Sequence, residues 1–191
     1  MAHPGVERTQ KKARLERRVL VFVDESGFYL LPSCVRTYAP CGHTPVLQVP
    51  HTRDHLSVMS GITPQGQLFT LIRDYPLTGV ESVTFLNALH RRLERKLLVI
   101  WDGSPIHRGA DVKDFLSNGG SRGVHLEQLP PYAPDLNPDE GTWQYLKRVE
   151  MRNLCCLNLS HLHHELTLAV ARLRRRPHII RSFFAGAGLS I

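Results

Sequence analysis

Two stretches decide the architecture: Val19-Leu20-Val21-Phe22-Val23-Asp24 and Leu97-Leu98-Val99-Ile100-Trp101-Asp102. Each is an unbroken apolar run, rich in β-branched residues and shorter than an ordinary helix. Glu25-Ser26-Gly27 closes the first, and Gly103 and Pro105 close the second. Runs of this kind read as strands buried on both faces. Each finishes on an aspartate, although a carboxylate at the end of a hydrophobic strand is costly unless something pairs with it.

Working outward, residues 35–49 and 55–73 read as antiparallel strands, punctuated by Ala39-Pro40-Cys41-Gly42 and Thr63-Pro64-Gln65-Gly66. Ser82 to Arg95 is helical, with Val83, Leu86, Leu89 and Leu93 at three- and four-residue spacing. A short helix over Ala110 to Leu116 and a short strand over Val124 to Leu129 follow. Pro130-Pro131-Tyr132-Ala133-Pro134 is a stiff, extended loop. A helix starts near Pro138, and a last one covers about 160–175, carrying Leu159, Leu162, Leu166, Ala169, Val170 and Leu173 on one side. Antiparallel strands followed by strand–helix alternation predict an α/β fold, a mixed sheet flanked by helices. The chain divides into a basic arm (1–18), a sheet-and-helix domain (19–158) and a basic helical extension (159–191).

The 191 residues, 42% hydrophobic and 21% charged, can build one real core and exclude a largely disordered chain. No run approaches the roughly 18 apolar residues of a membrane span, and the N-terminus shows no secretory signal. The formal net charge of +7 is unevenly spread: residues 1–20 carry +4, residues 141–191 carry +6, and the segment between them carries −3. Cationic ends around an acidic centre suit a polyanionic partner, or are simply an uneven surface. Cys34, Cys41, Cys155 and Cys156 lack the paired spacings of a zinc site and form a poor disulfide framework, so reduced thiols are expected. GxGxxG after a strand and GxxxxGK[ST] are both missing, which leaves dinucleotide and P-loop chemistry unsupported.

If the two aspartate-tipped strands are neighbours, Asp24 and Asp102 come within reach of one cation, at the strand ends where ligands collect in open α/β sheets. Each aspartate alone is equally a strand exit or a turn. A third acid comes from Pro134-Asp135-Leu136-Asn137-Pro138-Asp139-Glu140-Gly141-Thr142-Trp143. Asn137 suits an N-cap and Pro138 the first helical position, so a capping box accounts for Glu140 locally. Alternatively, Glu140 projects from the first turn toward the strand ends while Trp143, Leu146 and Val149 dock the helix. Asp135 and Asp139 compete with it; Asp139, one position round, should point elsewhere. Three carboxylates so arranged can hold two divalent ions about 3.5–4 Å apart, one activating a water or 3′-hydroxyl and the other stabilising the leaving oxygen of a phosphodiester. No Ser–His–Asp or Cys–His arrangement offers a protein nucleophile instead.

Val23-Asp24-Glu25-Ser26-Gly27-Phe28, Trp101-Asp102-Gly103-Ser104-Pro105-Ile106-His107 and Pro131 to Trp143 resemble the three signature blocks of DDE transposases. More narrowly, the chain resembles the bacterial insertion-sequence branch of the Tc/mariner superfamily over about residues 19–180. The resemblance implies an RNase H-like mixed β-sheet flanked by helices, with a catalytic domain over 19–158. It implies Asp24, Asp102 and Glu140 as the catalytic and metal-binding acids and two Mg²⁺ (or Mn²⁺) ions as cofactors. The implied reaction is cleavage at the ends of a DNA element followed by strand transfer. The implied partners are double-stranded DNA carrying terminal inverted repeats, a TA target and a second copy in a homodimer. The implied setting is a bacterial cytoplasm, at the nucleoid. Such proteins carry an N-terminal helix-turn-helix region, yet only 23 residues precede Asp24. A separately encoded helix-turn-helix part or a truncated copy is the expectation. The alternatives are a metal-dependent nuclease of the same fold and a remnant that binds DNA without cutting it.

His107 is expected to contact DNA phosphate or assist proton transfer, or to be a helix-entry histidine with no duty. Arg108, Lys113, Lys147, Arg148 and Arg152 are candidate backbone contacts or merely solvated charges. The cluster Arg172, Arg174, Arg175 and Arg176 is a stronger phosphate-binding candidate. Tyr132 and Trp143 can stack on a base, although the helical period of Trp143 favours the core.

Overall fold

The computed structural model describes residues 11–48, 52–130 and 133–189. The first ten residues of the basic arm, Val49 at the end of the expected 35–49 strand, and Pro131 and Tyr132, with the stacking role considered for Tyr132, lie outside the described residues.

Five strands form one sheet: β1 (Val19–Tyr29), β2 (His55–Ile62), β3 (Leu68–Arg73), β4 (Leu97–Trp101) and β5 (Val124–Gln128), in the order β3-β2-β1-β4-β5. The hairpin partners β1, β2 and β3 pair antiparallel, while β1–β4 and β4–β5 are parallel. The two apolar runs are therefore neighbours, with Val19 to Phe22 beside Leu97 to Ile100 in register. Asp24 and Asp102 each lie two residues beyond the last matched pair, so they emerge at the same level from strands about 4.8 Å apart.

Strand alternation sorts the core. Leu20, Phe22 and Phe28 of β1 face a layer built by α3 (Glu140–Tyr145), α4 (Leu159–Arg174) and α5 (Pro177–Gly186); Val21 and Val23 face α1 (Gly79–Leu93) and α2 (Ala110–Ser117). Thr78 caps α1 in a capping box with Glu81, so this helix begins three residues earlier than its apolar spacing predicts.

Four expectations change. Residues 35–48 form no strand; they run as an irregular, mostly exposed segment in which Tyr38 and Val46 meet solvent. β1 does not stop at Asp24 but continues to Tyr29, because β2 pairs with it from Phe22 onward after β4 has ended. The part from 159 on is no appendage: Leu162, Leu166, Ala169, Val170, Leu173, Ile180 and Phe184 share one buried cluster with Phe22 and Ile100. Finally, α5 is an unanticipated helix, started by Pro177 at its first turn. The described part of the arm is also anchored: Ala13 is buried, and Lys12 donates to Glu127 on β5 at 2.6 Å.

Candidate active site

Asp24, Asp102 and Glu140 line one cleft of about 410 Å³ together with Arg108, Gln128 and Asn137. Three independent elements deliver them: the middle of β1, the residue after β4, and the first turn of α3. Asn137 sets up that turn. Its side-chain amide donates to the Val23 carbonyl at 3.4 Å, and its Oδ1 accepts from the Asp139 N–H at 3.2 Å. The helix starts at Glu140 with Asp139 in the N-cap position, two residues later than expected and without the capping box, while Asn137 closes the turn before it and ties it to β1. The helix itself begins with tight three-residue bonds, Glu140 N to Asn137 O and Gly141 N to Pro138 O.

Trp143, one turn further on, is buried against Phe28, ring centroids 6.0 Å apart, and its indole N–H donates to Asp24 Oδ2 at 3.0 Å. The core reading of this residue holds, with an addition: the same side chain orients a site carboxylate. Burial, then the neighbouring Asp139 and Glu140, push the Asp24 carboxyl up to about 8. Lys147 lies near Asp24 and Glu140. Its Nζ donates to Ser26 Oγ at 2.7 Å and sits 5.1 Å from the centre of the Phe28 ring. Burial lowers its pKa, against the opposing pull of Glu140 and Asp24.

Asp139 does not line the cleft; its side chain turns inward to Ser60, the cross-strand partner of Asp24, and so lies beside Asp24. It is fully buried, accepts from Ser60 Oγ of β2 at 2.6 Å, and leaves Oδ1 without a partner among the described residues. Burial raises its pKa to about 7, with Glu140 adding to the effect. Asp135 borders a separate cavity of about 600 Å³ between α3 and α5, which meets the first cleft at Asn137 and Glu140.

His107 departs from expectation. Its side chain is 1% exposed, stacked flat on Trp101 at 4.0 Å between ring centres, and held between Glu25 (Nε2 to Oε1, 2.6 Å) and Asp102 (Nδ1 to Oδ1, 3.0 Å). A buried ring with both nitrogens engaged cannot reach a DNA phosphate. Glu25 was not anticipated; strand alternation, which puts it on the face opposite Asp24, was the available signal.

Of the other basic candidates, Arg108 and Arg148 are exposed, Arg108 at the cleft itself. Arg174 binds the Leu68 carbonyl and the Thr70 hydroxyl along the β3 edge, and Arg176 binds Tyr145 and Glu150. Arg175 is exposed. Among the described residues, the metal-type cluster with ligand atoms within 4.8 Å of one another is Glu25, Asp102 and His107; the three cleft carboxylates are more widely spaced.

All-oxygen donors on three elements suit a hard divalent cation. The Asp24 carboxyl is raised first by burial and then by the neighbouring anions, and a cation beside it would offset both.

The chain belongs to the DDE superfamily endonucleases, whose family model matches residues 19–156. Its fold is that of a transposase catalytic domain of the RNase H-like type, a five-stranded mixed sheet flanked by helices. The catalytic domain of Mos1 mariner transposase superposes with a TM-score of 0.55 at 15% identity, covering 97% of this chain and 89% of that one. The Mos1 mariner paired end complex with Mn gives 0.64 at 14% identity, covering 97% of this chain and 62% of that one. The complex with Mg gives 0.59 at 16%, covering 100% and 64%. The chain thus spans less than two thirds of those longer Mos1 chains. No curated protein matches it by sequence.

Proposed function

We propose that the chain is the catalytic domain of a transposase, of the bacterial insertion-sequence branch of the Tc/mariner superfamily, which cleaves DNA at element ends and joins the freed 3′-hydroxyls to target DNA. One observation carries this: two adjacent parallel strands and a docked helix turn three carboxylates into one cleft, within the span of the DDE endonuclease match. Asp24, Asp102 and Glu140 would hold two Mg²⁺ or Mn²⁺ ions. Such ions supply charge stabilisation to the phosphodiester oxygens and a more acidic attacking hydroxyl or water.

The chain's own residues do the rest. Trp143 fixes Asp24, and Asn137 fixes the start of the helix that carries Glu140. Arg108 stands at the cleft to meet a phosphate, with Arg148 and Arg175 available for backbone contacts farther out. Lys147 places a cation beside Asp24 and Glu140, where a scissile strand must pass. The Mos1 paired end complexes with Mn and Mg support the choice of metal, and their paired ends support DNA as substrate and a homodimer as the working unit. Terminal inverted repeats, a TA target, a separately encoded helix-turn-helix part and a nucleoid location complete the proposal.

The test is nicking of supercoiled plasmid and joining of oligonucleotides with free 3′-hydroxyl ends, in Mg²⁺ or Mn²⁺. Asp24→Asn, Asp102→Asn and Glu140→Gln should each abolish both. Cleavage that survives Asp102→Asn refutes the assignment, and cleavage without joined product leaves a nuclease.

A further inference from the structure

The cluster of Glu25, Asp102 and His107 has the composition of a metal site, but its geometry argues otherwise. One ion would have to sit near a single ring nitrogen and both carboxylates. Instead, Nε2 faces Glu25 at 2.6 Å and Nδ1 faces Asp102 at 3.0 Å, so each carboxylate engages its own ring nitrogen although the ligand atoms of the three residues lie within 4.8 Å of one another. The first is a hydrogen bond; at Nδ1 the hydrogen bond goes to the Asp102 carbonyl at 3.2 Å, with the carboxylate of the same residue beside it as an ion-pair contact. The Trp101 indole lies parallel to the imidazole, at 2° between planes, which resists the tilting needed to bring one nitrogen to both oxygens.

The connection crosses the sheet. Asp24 and Glu25 are consecutive on β1 and leave opposite faces, Asp24 toward Trp143 and Glu25 toward Trp101 and His107. His107 sits in the turn Pro105–His107 just past β4 and returns to the end of that strand, its Nδ1 also 3.2 Å from the Asp102 carbonyl. Asp102 itself is half exposed, on a short link between strand and turn. Besides His107, its side chain has the Ser104 N–H at 2.9 Å. Left to that loop it would sample several rotamers, each costing order on binding.

We propose that His107, gripped by Glu25 and flattened on Trp101, is a positioning residue that presets the Asp102 carboxylate for divalent cation binding. This rests on the reading of Asp102 as a metal ligand. It is a carboxylate–imidazole–carboxylate strut, in which a residue on one face of the sheet stiffens a ligand at the sheet's end. Partners that orient ligands commonly change metal affinity by roughly 10–100-fold.

The experiment is Mn²⁺ binding to the whole chain, followed by electron paramagnetic resonance of the free ion, with near-ultraviolet circular dichroism to verify folding. Asp102→Asn must weaken binding; if it does not, the metal-ligand reading falls and this proposal with it. With that control satisfied, His107→Phe, which keeps a ring on Trp101, should raise the Kd roughly tenfold or more. Glu25→Ala should weaken binding in the wild-type background and add nothing in the His107→Phe background. A Kd within about twofold of wild type for His107→Phe, well short of the effect such partners have, overturns the strut alone. A further loss from Glu25→Ala in the His107→Phe background also overturns it, because Glu25 would then bind the ion directly. Should His107→Phe not fold, His107→Gln, which keeps one donor, replaces it; intermediate weakening supports the strut and an unchanged Kd overturns it.

Discussion

Asp24→Asn should make the metal-free protein more stable while removing its response to metal. Asp24 is mostly enclosed, and burial together with Asp139 and Glu140 lifts its carboxyl from an ordinary 3.8 to about 8. At pH 7 the unfolded chain loses that proton freely, whereas the folded chain must hold it or bear the charge. The penalty to folding is on the order of 4 kcal/mol by linkage. Even half of that, about 2 kcal/mol, shifts Tm by roughly 4–8 °C for a chain of this size. Asparagine removes the penalty, and its side-chain oxygen can still accept from the Trp143 indole, which now bonds Asp24 at 3.0 Å. The assay is thermal unfolding at pH 7 with EDTA and again with Mg²⁺. The wild type should gain stability with Mg²⁺, while Asp24→Asn should start higher and gain little. An unchanged or lower Tm for the variant in EDTA would refute the argument that the site stores unfavourable charge.

The same shifts set a pH dependence. Asp24 and Asp139, at about 8 and about 7, bind more protons folded than unfolded above pH ~4, so metal-free stability should fall as pH rises from about 4 to about 8. His107 acts in the same direction: burial alone would lower it, but Glu25 and Asp102 overcome burial and raise it, so its contribution is lost as pH rises. Denaturant midpoints across that range check this, and a flat or rising profile contradicts it. Ser60→Ala removes the hydroxyl that Asp139 accepts at 2.6 Å in full burial and should cost about 1–3 kcal/mol by urea unfolding. Gly141→Ala would place a methyl 2.7 Å from the Phe183 ring of α5, forcing α3 outward at the residue after Glu140. It should cost about 1–3 kcal/mol and weaken Mn²⁺ binding together with stability.

The strands β1 and β4 and the helices α1, α2 and α4 are legible because their apolar residues repeat with the period of a buried element. Residues 35–48 mislead for the opposite reason: scattered Val, Tyr and Leu satisfy strand propensity locally, but no neighbouring strand among the described residues pairs with them. Helix α5 escapes the reading although Ile179, Ile180, Phe183 and Phe184 follow helical spacing after Pro177; the arginine run before it draws attention to charge instead. At the site, the three acids can be named in the sequence by motif, but the helical position of Asp139 gives no sign that it is buried on Ser60 beside Asp24.

What the sequence determined by itself, then, is which segments are strands and helices and which carboxylates sit at their ends, since both follow from short-range periodicity and turn chemistry. Only the tertiary structure decided that β1 and β4 lie side by side, that Ser60 is the buried partner of Asp139, and that His107 belongs to Glu25 and Asp102 rather than to DNA. Those contacts join segments distant in the chain, or arise where a strand's alternation is translated into faces of a sheet. Pairing across such distances is settled by packing of the whole core, which no local pattern encodes.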